Sequence, residues 1–563
     1  MKKIKVIFIL ALGLLSLNSC ETTDLDLLDN PNALNPTQAD IDLYMNAIQA
    51  RTATFTNTLG NTGAQMTRIH YMFGRNYENV YSPATFSAVW STAYAGILND
   101  IKEMNILVDD IGEGFEKHSA VGDVVEAYLL ITLVDYFGDI PYSEALDLEI
   151  LNPSVDGGAA VYASALDLLD SAIAKFQVEG SVAIANDFFY GNNYDTWIKL
   201  ANTLKMKVYI QSRLVDSGAI SNFETIASSG NYIGAGEDWV FNWGSNIENP
   251  NSRHPFYNNS YGPGGVPVIG LYQSNWFMDL MKNDKPIQDP RMRYYFYRQV
   301  SDVESNVNDA GDEMRCTIEP IPPHYDAIDA VYCIIDNDEG YWGRDHGDGA
   351  GIPPDGSLRT VYGIYPVGGR FDDNSFEELD GLNFGAEGNG ITPILLASTV
   401  DFWRAEASLF GGSGNTATHV ANGITKSINL VRGFTDRSVN DFDASFIPDA
   451  ADDADYIAIV TNRVNNAASD AERLDLIAKE LFITLLGNGT DAYNFYRRTG
   501  APRDIQPNLE PNPGPFIRSH WYPANEVTAN SSLNQKPNVS VKVFWDNNPD
   551  STGAPGSGFP NNN

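Results

Sequence analysis

Residues Val124–Phe137, VVEAYLLITLVDYF, form an apolar stretch that is long enough for a helix. Apolar residues fall on nearly every side of a helix built from it, which is typical of a helix buried all round. Gly138 and Pro141 follow shortly afterwards, and both residues are typical of a helix end. The stretch therefore predicts a central buried helix that other helices must surround.

Other segments have the spacing of amphipathic helices, with apolar or aromatic residues three or four positions apart. Three such stripes are Trp90, Tyr94, Ile97, Ile101 and Met104; Tyr162, Leu166, Leu169, Ile173 and Phe176; and Trp197, Ala201, Leu204 and Val208. Further helical patterns cover residues 400–410, 418–434 and 471–486. Helices of this length with short connections predict a mainly α fold of stacked helix pairs, although no sequence repeat of fixed period accompanies them.

Residues 232–392 differ from the helical segments because Gly, Pro and Asn interrupt them throughout. Examples are YNNSYGPGGVPVIG at residues 257–270 and HGDGAGIPPDGSLRT at residues 346–360. Long irregular segments inside a compact protein are usually functional or disordered. The many aromatic residues of this region argue against disorder. We therefore predict a long, loop-rich insertion in the helical scaffold.

The N-terminal residues have the pattern of an export signal. Three lysines among the first five residues precede Val6–Leu17, an uncharged apolar stretch that is too short to cross a bilayer as a helix. Leu17–Cys20, LNSC, then resembles the lipobox of bacterial lipoproteins, in which the cysteine sulfur receives the lipid. The alternative is an ordinary signal peptide followed by a chance cysteine.

The resulting domain prediction has three parts. Residues 1–19 are the signal peptide, residues 20–37 are the lipidated Cys20 and a polar tether, and residues 38–563 are the folded helical domain. After the signal peptide, no segment has the uninterrupted apolar length of a membrane-spanning helix. The lipid on Cys20 is thus expected to hold the protein at the membrane.

The composition limits the partners that the protein can have. Hydrophobic residues make up 43% of the 563 residues, which is enough for a substantial core, and the formal net charge is −37. Such a negative chain is not expected to bind nucleic acid, because the phosphates would be repelled. The same argument disfavours electrostatic attachment to anionic lipid.

Several longer stretches resemble the SusD/RagB family. They are VDYFGDIPYSEAL at residues 134–146, NDFFYGNNYDTWIKLANTLKMKV at 186–208, AKELFITLLGNGTDAYNFYRRTGAP at 478–502 and RSHWYPANE at 518–526. Residues 340–369, GYWGRDHGDGAGIPPDGSLRTVYGIYPVGG, resemble the SusD-like subgroup. The matches occur in the family's order behind a lipobox, and together they cover nearly the whole mature chain.

This resemblance implies a helical fold with tetratricopeptide-like helix pairs, anchored by lipid to the outer membrane and exposed at the cell surface. It also implies a lid on a SusC-like TonB-dependent transporter, which captures an oligosaccharide, or in some members a peptide, and passes it into the barrel. Family members bind without catalysis, and no cofactor is expected. Four residues that match the family are interpreted as structural: Trp197 and Asn202 would pack and bridge helices, and Arg497 and Arg498 would tie the last helix to the C-terminal tail.

Aromatic side chains with nearby hydrogen-bonding groups are the predicted ligand-binding residues, because flat rings stack on the apolar faces of sugars. The candidates are Arg75, Tyr77, Tyr272, Trp276, Tyr341, Trp342, Arg344 and Asp345. Most of them lie in the loop-rich insertion at residues 232–392, which is therefore expected to face the ligand. The competing interpretation is that these residues only pack the loops.

An enzyme remains the alternative function. The sequence has no motif for an activated serine, a zinc site or a nucleotide loop. However, the paired carboxylates of a glycoside hydrolase meet in space and need no sequence motif. A lipid-anchored hydrolase acting on a polysaccharide is therefore the second hypothesis.

Two smaller predictions concern the loop region. Residues 336–340, DNDEG, together with Asp345 and Asp348, offer oxygen ligands for calcium. They do not match the EF-hand pattern, and a solvated acidic loop is the preferred interpretation.

With Cys20 lipidated, Cys316 and Cys333 are the remaining pair of an exported chain and are predicted to form a disulfide. Two buried free cysteines are the alternative.

Overall fold

The computed structural model describes residues 40–74, 76–112, 114–262, 272–301, 315–332, 339–349, 359–379 and 381–548. The helices in the first half are α1 (Ile41–Met66), α2 (Tyr77–Val80), α3 (Ser87–Ser91), a π-helix (Thr92–Leu98), α4 (Asn99–Ile111), α5 (Glu116–Phe137), α6 (Gly158–Phe176), α7 (Tyr194–Ser212) and α8 (Ala219–Ser229). Short helices follow: α9 (Pro255–Ser260), α10 (Asn275–Lys282), α11 (Met292–Tyr295), α12 (Arg315–Ile318) and α13 (Pro323–Asp326).

The remaining helices are α14 (Ala397–Ser408), α15 (Thr416–Arg432), α16 (Ala450–Asn466), α17 (Asp470–Thr484), α18 (Thr490–Thr499) and α19 (Ala524–Ala529), with single 3₁₀ turns at Thr435–Arg437 and Ala444–Phe446. The strands are β1 (Ile140–Pro141), β2 (Val155–Asp156), β3 (Trp239–Asn242), β4 (Phe296–Tyr297), β5 (Val361–Tyr362) and β6 (Ile391–Leu395). They form three antiparallel pairs: β1 with β2, β3 with β6, and β4 with β5. The predicted mainly α fold is confirmed.

Helix α5 lies at the centre of the first helical group, as its sequence predicts. Nearly all of its residues are buried, and it ends at Gly138, whose positive φ of 77° suits glycine. Consecutive helices pack on one another from α5 to α8 and again from α14 to α17, which is the expected helix-pair arrangement. Trp545, near the other end of the chain, is fully buried and donates its indole hydrogen to Asp135 of α5, at 3.1 Å.

The three predicted apolar stripes lie on helices. The second and third belong to α6 and α7, and the first continues through α3, the π-helix and α4. Helix α1, by contrast, was not predicted. Its buried face includes Thr52, Thr56, Gly60 and Gly63 among larger apolar residues, so it shows no continuous apolar stripe.

The two ends of the insertion at residues 232–392 lie next to each other in the fold. Strand β3 pairs with β6 in an antiparallel register, with Trp239 opposite Leu395 and Asn242 opposite Ile391. Between these strands, most of the described elements are short, but α10 is a regular helix with Ser274 as its N-cap. The pairing places the two ends of the insertion side by side on the helical scaffold.

Arg497 and Arg498 have different partners. Arg497 donates to the carbonyl oxygen of Arg518 at 2.6 Å, so it ties α18 to the C-terminal tail as predicted. The same prediction for Arg498 is wrong, because its guanidinium pairs with Glu406 of α14. Successive residues of a helix point about 100° apart, so neighbouring arginines leave α18 in different directions.

Across the described residues, every helix is either too short or too polar to span a bilayer.

Candidate ligand-binding site

The predicted binding residues converge on residues 339–349, which run through the interior beside residues 272–276. Arg344 and Ser274 form an isolated parallel bridge. The backbone N–H of Asn275 donates to the carbonyl of Arg344 at 3.1 Å, and that of Arg344 donates to the carbonyl of Gln273 at 2.9 Å. Two stretches that are about 70 residues apart in sequence therefore lie side by side.

Tyr272 lies against two guanidinium groups. The carbon atoms at the centres of the Arg344 and Arg359 guanidinium groups are 4.4 and 4.0 Å from its ring centroid, within the range of cation–π attraction. Asp348 forms ion pairs with Arg344, at 3.4 Å, and with Arg315, at 2.7 Å. These contacts occupy the aromatic face of Tyr272 with protein groups.

Tyr77 reaches the same interior from α2. Its hydroxyl accepts a hydrogen bond from Nη2 of Arg68 at 3.0 Å and lies 3.0 Å from Nε2 of His346. Burial, with a smaller contribution from Arg68, lowers the pKa of His346 well below its usual value, so the imidazole is neutral. Arg75, the neighbouring candidate, lies outside the described residues.

Asp345 links residues 339–349 to two other segments of the chain. Its Oδ1 accepts hydrogen bonds from Nε2 of Gln506 at 2.7 Å and from Nδ2 of Asn275 at 3.2 Å. The candidates on this segment are nearly inaccessible, with Tyr341, Trp342, Arg344 and Asp345 at most 6% exposed. Their contacts favour the packing interpretation for them, and their ligand-binding role stays a prediction.

Two of the nine tryptophans differ from the others in the contacts of their side chains. Seven of the nine have a ring contact with another side chain or donate an indole hydrogen bond: Trp90, Trp197, Trp239, Trp243, Trp403, Trp521 and Trp545. Trp276 and Trp342 have neither contact with any described residue. Of these two, Trp276 lines a cavity of about 440 Å³.

Four segments of the chain form this cavity, which we call the Trp276 cavity. Helix α10 contributes Trp276, Asp279 and Leu280, and α17 contributes Lys479. Asn283 and Asp284, which follow α10, and residues 328–331 and 503–506 complete the wall. An indole beside carboxylate, amide and ammonium groups combines an apolar surface with hydrogen-bonding groups, which is how pockets for small polar ligands are built.

Lys479 forms ion pairs with two carboxylates in the wall of the Trp276 cavity. Its Nζ is 2.7 Å from Oδ1 of Asp284 and 2.5 Å from Oδ2 of Asp504. Burial alone would raise the pKa of Asp284, but Lys285 and Lys479 outweigh this effect and lower it. Asp284 therefore stays ionised and bound to protein cations. The sequence analysis missed Lys479 and Asp279; the spacing of Trp276 and Asp279, three positions apart, is the available sequence signal for Asp279.

The other predicted sites are only partly described. Cys316 is disulfide-bonded, while Cys333 and Cys20 lie outside the described residues, so the Cys316–Cys333 pairing stays a prediction. Residues 336–338 of the possible calcium loop also lie outside them. In the described ranges, no three His, Cys, Asp or Glu residues are grouped to hold a metal.

The comparisons with known families match both halves of the chain. Residues 31–316 match a SusD-like family described as "Starch-binding associating with outer membrane", and residues 383–546 match the family "Susd and RagB outer membrane lipoprotein". With the helix-pair fold, these matches define an outer-membrane lipoprotein. The chain belongs to the SusD/RagB family.

Solved structures with this fold extend over most of the chain. One is a chitin-binding protein, with 18% identity and a TM-score of 0.64 over 91% of this chain and 100% of that one. A SusD/RagB family protein from Bacteroides thetaiotaomicron has 18% identity and a TM-score of 0.63, covering 90% and 99%. A chitin-binding SusD homolog from Flavobacterium johnsoniae has 17% identity and a TM-score of 0.62, also covering 90% and 99%. A comparison with curated protein sequences gave no match.

Proposed function

We propose that this protein binds an oligosaccharide at the cell surface and delivers it to a SusC-like TonB-dependent transporter in the outer membrane, without transforming it. Membership of the SusD/RagB family supports this proposal, as do two structures with the same fold that are described as chitin-binding. A peptide is the other ligand class that the family admits. The observation that carries the proposal is the Trp276 cavity.

The Trp276 cavity suits a sugar in size and chemistry. Its volume of about 440 Å³ lies within the range of ligand pockets, roughly 300–1,000 Å³. The indole of Trp276 is 5% exposed, makes no ring contact with another described residue and contributes apolar surface to the cavity wall. Asp279 and Lys479 supply an acceptor and a donor for the sugar hydroxyls.

The anchor is part of the same proposal. A lipid on Cys20 and a tether to residue 37 would keep the helical domain at the membrane while leaving it free to move over a transporter. Such a lid needs an interface with the barrel of roughly 2,000 Å² or more for a stable assembly. The complex should therefore survive extraction in mild detergent.

Two measurements test the proposal. The full-length protein, extracted from outer membranes in mild detergent, should co-purify with a TonB-dependent transporter, and calorimetry with a panel of oligosaccharides and peptides should give saturable binding to at least one sugar. Product analysis after long incubation should recover that sugar intact. Extraction as a free monomer that binds no sugar would contradict the proposal, and cleavage of the sugar would support the hydrolase alternative.

A further inference from the structure

The carboxylates of the Trp276 cavity differ in how they are neutralised. Asp284 is paired with Lys479, at 2.7 Å, and with Arg463, at 2.6 Å. Asp504 shares Lys479, at 2.5 Å. Asp279 and Asp329 form no ion pair with any described residue, although both line the cavity. Two carboxylates of the wall, the half-buried Asp279 and the exposed Asp329, therefore have no ion-pair partner among the described residues.

Asp279 has a defined position beside the indole. It follows Trp276 by three residues on α10, so the two side chains lie on the same face of the helix. One oxygen of Asp279 accepts a hydrogen bond from Nδ2 of Asn283 at 2.8 Å, and its other oxygen accepts none from the described residues. Ser274 caps the helix and fixes its start. A sugar stacked on Trp276 would thus have a carboxylate at its edge.

We propose that Asp279 makes the Trp276 cavity select its oligosaccharide by charge, so that it accepts neutral and amine-bearing sugars and rejects sugars that carry carboxylates. This inference rests on the proposed function. An ammonium group would supply a cation to Asp279, whereas a uronic acid would place a second unpaired negative charge beside this half-buried carboxylate. Asp329 is exposed, so water screens its charge. Like charges brought together in a partly buried site repel strongly, because the surrounding protein screens them less than water does.

The protonation of Asp279 makes this selection depend on pH. Burial raises the pKa of Asp279, and the charge of Asp284 adds to this effect, while Asn283 and Lys479 oppose it. The other charged groups around the cavity are held in pairs: Lys285 with Glu480, Arg463 with Asp284, Arg503 with Asp475, and Lys479 with Asp504. Asp279 therefore takes up a proton at a higher pH than an ordinary aspartate, and the preference for amine-bearing sugars weakens as the pH falls through that range.

Three oligosaccharides of equal length and the same β linkage test the inference: polymers of glucosamine, N-acetylglucosamine and glucuronic acid. Calorimetry with the intact protein, at a pH where the sugar amine is protonated, gives their affinities. We expect the glucosamine oligomer to bind at least as tightly as the neutral one and the glucuronic acid oligomer to bind at least about tenfold more weakly. Asp279→Asn should reduce these differences to about twofold.

Asp110→Asn is the matched control, because Asp110 is exposed on α4 and lies outside the cavity wall. It should leave all three affinities unchanged. Equal affinities for the three sugars, or unchanged differences in Asp279→Asn, would overturn charge selection while leaving the proposed function intact. Failure of every sugar to bind would overturn the proposed site and this inference together.

Discussion

Arg498 and Glu406 form a two-point ion pair in the interior of the protein. Nε of Arg498 is 2.8 Å from Oε1 of Glu406, and Nη2 is 2.6 Å from Oε2. The two side chains are 2% and 0% exposed. The pair joins α18 to α14, and Arg213, the residue that follows α7, adds a third contact at 2.7 Å. Three helices that are distant in sequence therefore share one charge cluster.

Removing this arginine should destabilise the protein strongly. Arg498→Met leaves Glu406 buried with one cation fewer, which should lower the free energy of unfolding by about 3–5 kcal/mol. Urea denaturation followed by circular dichroism measures the change. Arg473→Met is the control, because Arg473 pairs with the exposed Asp470 and should cost less than about 1 kcal/mol. Similar losses in both variants would contradict this account.

The same cluster predicts a pH dependence. Burial alone would raise the pKa of Glu406, but Arg498 and Arg213 outweigh it and hold the pKa below its usual value. A carboxyl whose pKa is lower in the folded state contributes fully above the unfolded pKa of about 4.3 and loses that contribution as the pH falls. Denaturation at several pH values should show a shallower acid loss in Glu406→Gln than in the wild type. Equal slopes would speak against the assignment.

Trp276→Ala should weaken oligosaccharide binding by roughly 30-fold, equivalent to about 2 kcal/mol, because the stacking surface is lost. Trp276→Phe should retain part of the affinity. Trp342→Ala is the comparison: Trp276 and Trp342 are 5% and 4% exposed, so either loss should reduce stability by about 3–5 kcal/mol. Trp342 lies outside the cavity wall, so its loss should leave the affinity of the folded fraction unchanged. Calorimetry and thermal melts separate the two effects. Unaltered binding in Trp276→Ala would remove the cavity as the ligand site.

Cys20→Ser should release the protein from membranes, because the lipid is the proposed anchor. Fractionation of cells that lack the partner transporter should place the variant in the soluble fraction and the wild type in the membrane fraction. If the variant remained with the membranes under these conditions, the lipobox assignment would be wrong.

The predicted Cys316–Cys333 bridge closes a loop of 16 intervening residues and should contribute roughly 3 kcal/mol. Thiol labelling of denatured, unreduced Cys20→Ser protein should label neither cysteine, and prior reduction should expose both. Labelling of both cysteines without reduction would exclude the bridge.

Some elements could be predicted because one physical rule dominates them. Helix α5 is apolar on every side, so burial and helical length agree. Helix α1 was missed because close packing of threonine and glycine replaces an apolar stripe. Helix α10 has only eight residues inside a region whose composition indicates loops. Arg498 was assigned the wrong partner because its direction from α18 is set by the helix geometry.

The candidate site could be predicted only in part. Trp276 was identified as a binding aromatic, but so were Tyr272 and Tyr341, whose rings lie against arginines. Composition does not distinguish a ring that packs from one that faces a cavity. Lys479 was missed because about 200 residues separate it from Trp276, and only the fold brings them together.

The contact between Trp545 and Asp135 joins residues that are synthesised far apart in time. The two residues are 410 positions apart, and the indole of Trp545 supplies one of the hydrogen bonds that satisfy a fully buried carboxylate. A ribosome makes Asp135 long before it makes Trp545. The buried carboxylate of α5 therefore lacks this hydrogen-bond donor while the intervening chain is synthesised. Contacts between such distant residues form slowly. We therefore expect the newly made chain to stay loosely structured until residue 545 has emerged, a state that suits passage through an export channel.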